Sequence, residues 1–271
     1  MISHQIGNSF LENYNGVVYC HHDWDYHLHR SFEFITVNSG TLSITVGRDS
    51  YEISSGDCIF IPPFVPHSIS SSCDSHFFIA VFSGDYVEDV AKLFKSKRAD
   101  YHKFKLTENT RAYVVEHLCP VCEVADGEDR EIPAPKKFML RSCLYAICSE
   151  FLDGATLTKN KKEDSLILEI LSYVEDHFLE DITLKNMARS LGYSHEYVSR
   201  VFNRTLGFSF KSLVNQYRLE HAIALMRRSE DSLVSVALSS GFQSLRSFNR
   251  ACRELMGVTP TEIKKMTAEV E

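Results

Sequence analysis

Two groups of polar residues in the last third of the chain stand at helical spacing opposite apolar ones. In the first, Ser194 precedes a segment whose Tyr197, Val198, Val201 and Phe202 fall on a core-facing stripe. His195, Glu196, Ser199, Arg200 and Asn203 are left on the opposite face. In the second, Ser244 precedes Phe248, Cys252 and Leu255 on the core side, with Leu245, Arg246, Ser247 and Arg250 outward. Arginine is the commonest reader of guanine, through a bidentate contact to O6 and N7, and it serves equally to position a phosphate. The chemistry on offer is therefore contact with DNA. One other close pair of reactive side chains exists, Cys119 and Cys122 in Cys119-Pro120-Val121-Cys122. A zinc site needs about four ligands and no second pair follows. A redox role needs a thioredoxin-like context that is absent. The eight cysteines read as reduced, buried thiols.

The elements that must position the two outward faces repeat. Leu184 to Phe202 and Leu233 to Cys252 each run apolar helix, small Ala (Ala188, Ala237), Gly-aromatic turn (Gly192-Tyr193, Gly241-Phe242), Ser cap and second helix. Each copy closes on Gly-x-Ser or Gly-x-Thr, at Gly207 and Gly257. One helix-turn-helix pattern is a weak signal, but two copies joined by a helix point to a DNA-reading module. The joining helix spans Phe210 to Arg228, and Ser165 to Phe178 is a packing helix ahead of the first copy. A rigid linking helix suits one monomer reading successive major-groove faces, about 34 Å apart. Thr183 to Lys265 holds 13 basic and 6 acidic residues, a net of +7, whereas the whole chain of 271 residues is −7. A basic module on an acidic body fits phosphate contact by one end only.

Upstream the period changes. Phe32 to Val37, Thr41 to Val46, Ser50 to Ile53, Asp57 to Ile61 and His76 to Phe82 read as short strands between Gly, Asn and Pro turns, which suggests an antiparallel barrel or jelly roll. Tyr86 to Lys95, Thr107 to Val124 and Lys136 to Leu152 read as helices, and Ala125 to Pro135 as a loop. The fold class is α+β: a barrel with flanking helices over 1–155, a linker over 156–164, and an all-α domain over 165–271. No apolar run approaches the roughly 20 residues that cross a membrane, and Met-Ile-Ser-His-Gln begins no secretion signal. A cytoplasmic protein without membrane contact is expected.

Residues 165–265 resemble the DNA-binding domain of AraC-type (AraC/XylS) bacterial transcriptional regulators. The resemblance is carried by Tyr217-Arg218-Leu219-Glu220-x-Ala222, Val236-Ala237, Gly241-Phe242, Phe248 with Arg250, and Gly257-Val258-Thr259-Pro260. Cys252 stands where a Phe is usual, and Phe210 where Pro or a small residue is frequent. The resemblance implies base readers at Glu196, Ser199 and Arg200 in the first unit and Leu245, Arg246, Ser247 and Arg250 in the second, with Asn203 on the same face.

The N-terminal half resembles cupins. His27-x-His29, Glu33 and Gly40 match the first cupin motif in spacing; Gly56, Pro62 and His67 match the second, with Phe64 where Gly is usual and Ser71 where Asn is expected. The resemblance brings His27, His29, Glu33 and His67 together inside the barrel, a donor set for Fe, Mn, Zn or Ni. The same side chains could instead hydrogen-bond a small effector such as a sugar, with Trp24 stacking on its ring, or serve structure alone. No metal is required under the second and third uses. By resemblance, the helices at 107–124 and 136–152 form a homodimer interface. The implied protein is an effector-responsive regulator of transcription, an activator that works with RNA polymerase on double-stranded DNA, and not an enzyme. A metal-dependent cupin enzyme or metal sensor fused to a DNA-binding domain is the alternative.

Overall fold

The computed structural model describes residues 3–4, 14–100, 102–119, 129–160, 162–206, 208–228 and 231–268. The chain folds as two compact units, Met1–Asn160 and Lys161–Glu271.

The strands of the first unit are β1 (Ser3–His4), β2 (Tyr14–Cys20), β3 (Trp24–Leu28), β4 (Phe32–Ser39), β5 (Thr41–Val46), β6 (Asp49–Ser54), β7 (Cys58–Ile61), β8 (His67–Ser71), β9 (His76–Phe82), β10 (Lys97–Ala99), β11 (Lys103–Phe104), β12 (Arg130–Ile132) and β13 (Leu157–Lys159). One sheet has the order β1-β3-β8-β5-β6, the second β11-β7-β4-β9-β2-β12, and β10 pairs with β13. All the pairings are antiparallel except β1 with β3. The expected antiparallel architecture is thus realised as two large sheets.

Side chains alternate between two cores, because successive residues of a strand point to opposite faces. Ile35, Val37, Ile59, Ile61, Phe77 and Ile79 join Leu42, Ile44 and Ile69 in one cluster. Their neighbours Phe34, Phe60, Phe78 and Ala80 face a helical layer instead. Both faces of β4, β7 and β9 are buried, which is why these strands read as near-continuous apolar runs. The helices of this unit are α1 (Glu88–Phe94), α2 (Glu108–His117) and α3 (Lys137–Gly154). Thr107 caps α2 by accepting from the backbone N–H of Thr110. Leu140, Leu144, Ile147 and Phe151 of α3 pack into the cluster with Phe34 and Phe60. Much of the apolar surface that the sequence offers for dimerisation is therefore buried within the chain.

Three of the differences from the sequence expectation are instructive. The expected helix 107–124 ends at His117, and its residues 120–124, with Cys122, lie outside the described residues. The expected loop at 125–135 contains β12, which pairs with Gly16 to Val18 and buries Ile132. The expected linker 156–164 contains β13, held on Lys97–Ala99, and the first turn of a helix that starts at Lys162. In both of the last two, long-range pairing or packing overrides a polar local composition.

The second unit is helical: α4 (Lys162–His177), α5 (Leu184–Ser190), α6 (His195–Leu206), α7 (Phe210–Arg228), α8 (Leu233–Ser239), α9 (Leu245–Met256) and α10 (Pro260–Ala268). Helix α4 packs on α6 and α7; α8 and α9 pack on each other and on α7, which also receives α10. Phe248, Ala251 and Cys252 share a core with Leu219, Ile223, Val236, Ala237 and Ile263. Burial pushes the Cys252 thiol up to about 12, so it behaves as a small hydrophobe where a Phe is usual.

Candidate functional site

The two turns of the helical unit are built alike. At each, the glycine lies in the left-handed region, with φ +77 at Gly192 and +80 at Gly241. Tyr193 and Phe242 donate their backbone N–H groups to the carbonyls of Ala188 and Ala237, and Gly192 and Gly241 donate to Arg189 and Leu238. That pair of bonds is the Schellman arrangement, which satisfies carbonyls orphaned at a helix end. The following helix is then capped: Ser194 Oγ accepts from Tyr197 N at 3.2 Å, and Ser244 Oγ from Ser247 N at 3.2 Å.

These caps aim α6 and α9 outward. Glu196, Arg200 and Asn203 are exposed on α6, with Ser199 partly so, while Val198, Val201 and Phe202 are buried. Arg200 lies 5.6 Å from the Tyr197 ring centre, and Asn203 Nδ2 is 3.4 Å from Ser199 Oγ. On α9, Arg246 and Arg250 are exposed. Arg250 pairs with Glu254 at 3.7 Å, an exposed contact too weak to lock it. Two of the expected outward residues are partly engaged. Leu245 packs against the unit's own core. Ser247 completes the capping box, its Oγ accepting from the Ser244 backbone N–H at 3.2 Å, and also donates to the Ser244 carbonyl at 2.7 Å. Arg218 is one of the module's basic residues, but its Nε and Nη2 donate to backbone carbonyls, those of Phe178 and Glu180, each at 2.7 Å.

In the first unit, strand register builds the second site. His27 on β3 pairs with His67 on β8, and Glu33 on β4 pairs with Ile61 on β7. Glu33 shares the parity of Ile35 and Val37, so it points between the sheets. His27, His29, Glu33 and His67 are all buried, and one ligand atom from each lies within 4.8 Å of the others. His29 Nε2 is 2.7 Å and His67 Nε2 3.2 Å from the same oxygen of Glu33. Each ring is fixed from behind. His27 Nδ1 donates to Asp25 O at 2.7 Å, His29 Nδ1 to Ser31 O at 3.0 Å and His67 Nδ1 to Val65 O at 2.8 Å.

A carbonyl only accepts, so each Nδ1 carries a proton, and each neutral ring presents an Nε2 lone pair to the cluster. Two lone pairs facing one carboxylate require a positive particle between them: a second ring proton or a metal cation. A backbone carbonyl behind Nδ1, with Nε2 turned inward, is how metal-binding histidines are commonly oriented. Metal–ligand bonds of about 2.1 Å place neighbouring donors roughly 3 Å apart, close to the two Glu33 distances. The donor set therefore fits a divalent transition metal. Burial lowers the His27 pKa to about 4, helped by His67. Burial pushes Glu33 up, but the charge of His67 and the bonds from His29 and His67 outweigh it and hold the carboxyl well below its usual range.

Trp24 packs with Tyr19, His22 and Phe77, at centroid distances of 4.7, 4.2 and 6.2 Å. Phe64, in place of the usual Gly, keeps the backbone the motif needs. It sits at φ +62 and donates its N–H to His29 O at 2.8 Å. Sequence reasoning missed His102, whose Nδ1 donates to Phe60 O at 2.8 Å. Burial lowers its pKa, and His67 is among the charges that act on it. No local pattern marks His102; it is placed by the pairing of β11 with β7.

A helix-turn-helix domain family matches residues 187–266, and a cupin domain family matches residues 22–78. The chain therefore carries a cupin domain in its first unit and a helix-turn-helix domain in its second. A Bacillus subtilis helix-turn-helix-type transcriptional regulator, YisR, is 21% identical over 253 residues, 88% of this chain and 86% of that protein. Helix-turn-helix-type regulators of Staphylococcus aureus are 30% identical over 101 residues, 37% of this chain. The chain spans only 14% of the length of those staphylococcal relatives. Among solved structures, ToxT from Vibrio cholerae superposes with a TM-score of 0.54 at 17% identity, covering 94% of this chain and 99% of that one. A ToxT structure with an unsaturated fatty acid bound gives 0.55 at 14% identity, covering 93% and 94%. That likeness shows a shared fold.

Proposed function

We propose that the protein is a sequence-specific, double-stranded-DNA-binding regulator of transcription whose barrel senses a small effector. The observation that carries this reading is the pair of capped helices α6 and α9, each presenting exposed arginines from a segment of net charge +7. In this reading Glu196, Ser199, Arg200 and Asn203 contact one major-groove face, and Arg246 and Arg250 the next, with Leu245 and Ser247 at the edge of the contact. The protein acts as a homodimer formed through α2 and α3, where Phe138 leaves a large apolar side chain 83% exposed. It activates, through contact with RNA polymerase. Arg250→Ala should weaken binding to a selected site by roughly 1–3 kcal/mol, measured by fluorescence anisotropy. Unchanged affinity and base preference would remove Arg250 as a reader.

A second reading concerns the barrel. The four converging donors favour a divalent cation over a sugar bonded directly to them, because Glu33 is already enclosed by His29 and His67. His27, His29, Glu33 and His67 would hold the ion. Bound there, it would supply Lewis acidity and fixed positive charge, as an effector itself, as an anchor for an anionic one, or as the centre of a cupin enzyme. Elemental analysis of the purified chain beside its His67→Ala variant tests this. Stoichiometric metal lost in the variant supports the cation; no metal in the chain purified from, and then dialysed against, metal-containing buffer returns the cluster to effector binding or structure.

A further inference from the structure

The turn of the second helix pair is built directly against the segment that follows α4. A Cβ at Gly241 would lie 2.9 Å from Leu179 Cα, 3.1 Å from Leu179 O and 3.1 Å from Arg218 Nε. Leu179 follows α4, the helix that packs on α6. Gly192, the matching residue of the first pair, has nothing within 4 Å of the same position. The close approach therefore belongs to the second copy of the repeat.

Arg218 of α7 holds the junction. Its Nε and Nη2 donate to the carbonyls of Phe178 and Glu180, at the end of α4. Its guanidinium carbon lies 6.0 Å from the Phe242 ring centre. His221, on the same face, is 5.6 Å from the Phe178 ring by centroids, and its Nδ1 is 3.3 Å from Ser240 Oγ. A planar guanidinium reaches two carbonyls just past the end of α4 at once, whereas an ammonium is a single point with no fork. Arg218 thus adds a polar tie from the linking helix both to the end of α4 and to the turn that leads into α9.

We infer that Arg218 is a positioning residue that sets the register between the two DNA-facing helices, and with it the half-site spacing the protein accepts. The inference rests on the DNA-binding reading above. One inserted base pair turns a half-site by about 35° around the DNA axis, so a rigid pair of readers must discriminate spacing sharply.

The test uses the full chain and a composite site selected from random duplex DNA. Binding is measured at the selected spacing and with one base pair added or removed between the half-sites. The wild-type chain is expected to lose about tenfold or more per base pair, the scale of a mismatched contact. Arg218→Ala and Arg218→Lys are expected to bind the selected spacing more weakly and to flatten that penalty to about threefold or less, with base preference within each half-site unchanged. Folded variants that keep the wild-type spacing penalty overturn the inference. So does loss of folding in both variants, checked by circular dichroism, because Arg218 would then be a requirement of the fold. If the wild-type chain selects no site, the DNA-binding reading itself fails, a result distinct from either.

Discussion

Burial of His27 against His67 gives the barrel a pH dependence. The His27 pKa falls from 6.5 to about 4 on folding, so between those values the unfolded chain binds more protons than the folded one. Stability tied to His27 is present above pH 6.5 and is lost as pH falls toward 4, by about 3 kcal/mol at most. Glu33 is depressed, so its contribution holds above its ordinary 4.5 and is lost only in stronger acid. The melting temperature should therefore drop from pH 6.5 to 4, and His27→Asn should flatten that part of the curve. Identical pH curves for the two proteins would show that His27 is not the titrating group. The four converging residues were legible because motif spacing survives without knowledge of the strands. The surroundings of Trp24 were not, since its ring environment is set by Tyr19 and Phe77 from distant strands.

At the scale of the element, the two glycine turns make unequal demands. Gly192→Ala meets only the left-handed backbone penalty, about 1–2 kcal/mol. Gly241→Ala meets the same penalty plus overlap with the backbone of Leu179, so its denaturation midpoint should fall further. Equal midpoints would mean that the contact at Leu179 relaxes freely. Ser244→Ala removes the cap of α9 and should cost about 1 kcal/mol in the same assay. The repeat was legible because helix period, small Ala, Gly turn and Ser cap are all local signals. Its asymmetry was not, because Gly192 and Gly241 look alike until the end of α4 is placed beside one of them. Strand β12 and strand β13 escaped for a related reason: Arg130-Glu131-Ile132 and Leu157-Thr158-Lys159 are too short and polar to read as strands, and pairing partners far along the chain create them.

At the scale of the molecule, charge divides by segment. The barrel unit, residues 1–160, is −7, and the helical unit, residues 161–271, holds 15 basic and 15 acidic residues, because acids on either side offset the +7 of Thr183 to Lys265. Attraction to DNA is therefore local to that segment, while the barrel unit repels it. Affinity should fall steeply with salt, with a logarithmic slope of about −0.9 for each phosphate neutralised; a flat response would contradict the charge argument. The Nε and Nη2 of Arg218 are committed to the carbonyls of Phe178 and Glu180, so the phosphate contacts fall to the exposed arginines. The most direct measurement is selection of bound sequences from a random duplex pool by the full chain, repeated with Arg200→Ala and Arg250→Ala. Two half-sites about one helical turn apart should emerge, and each variant should relax base preference in its own half-site only. Enrichment of no sequence, or variants that leave both half-sites unchanged, would contradict the account.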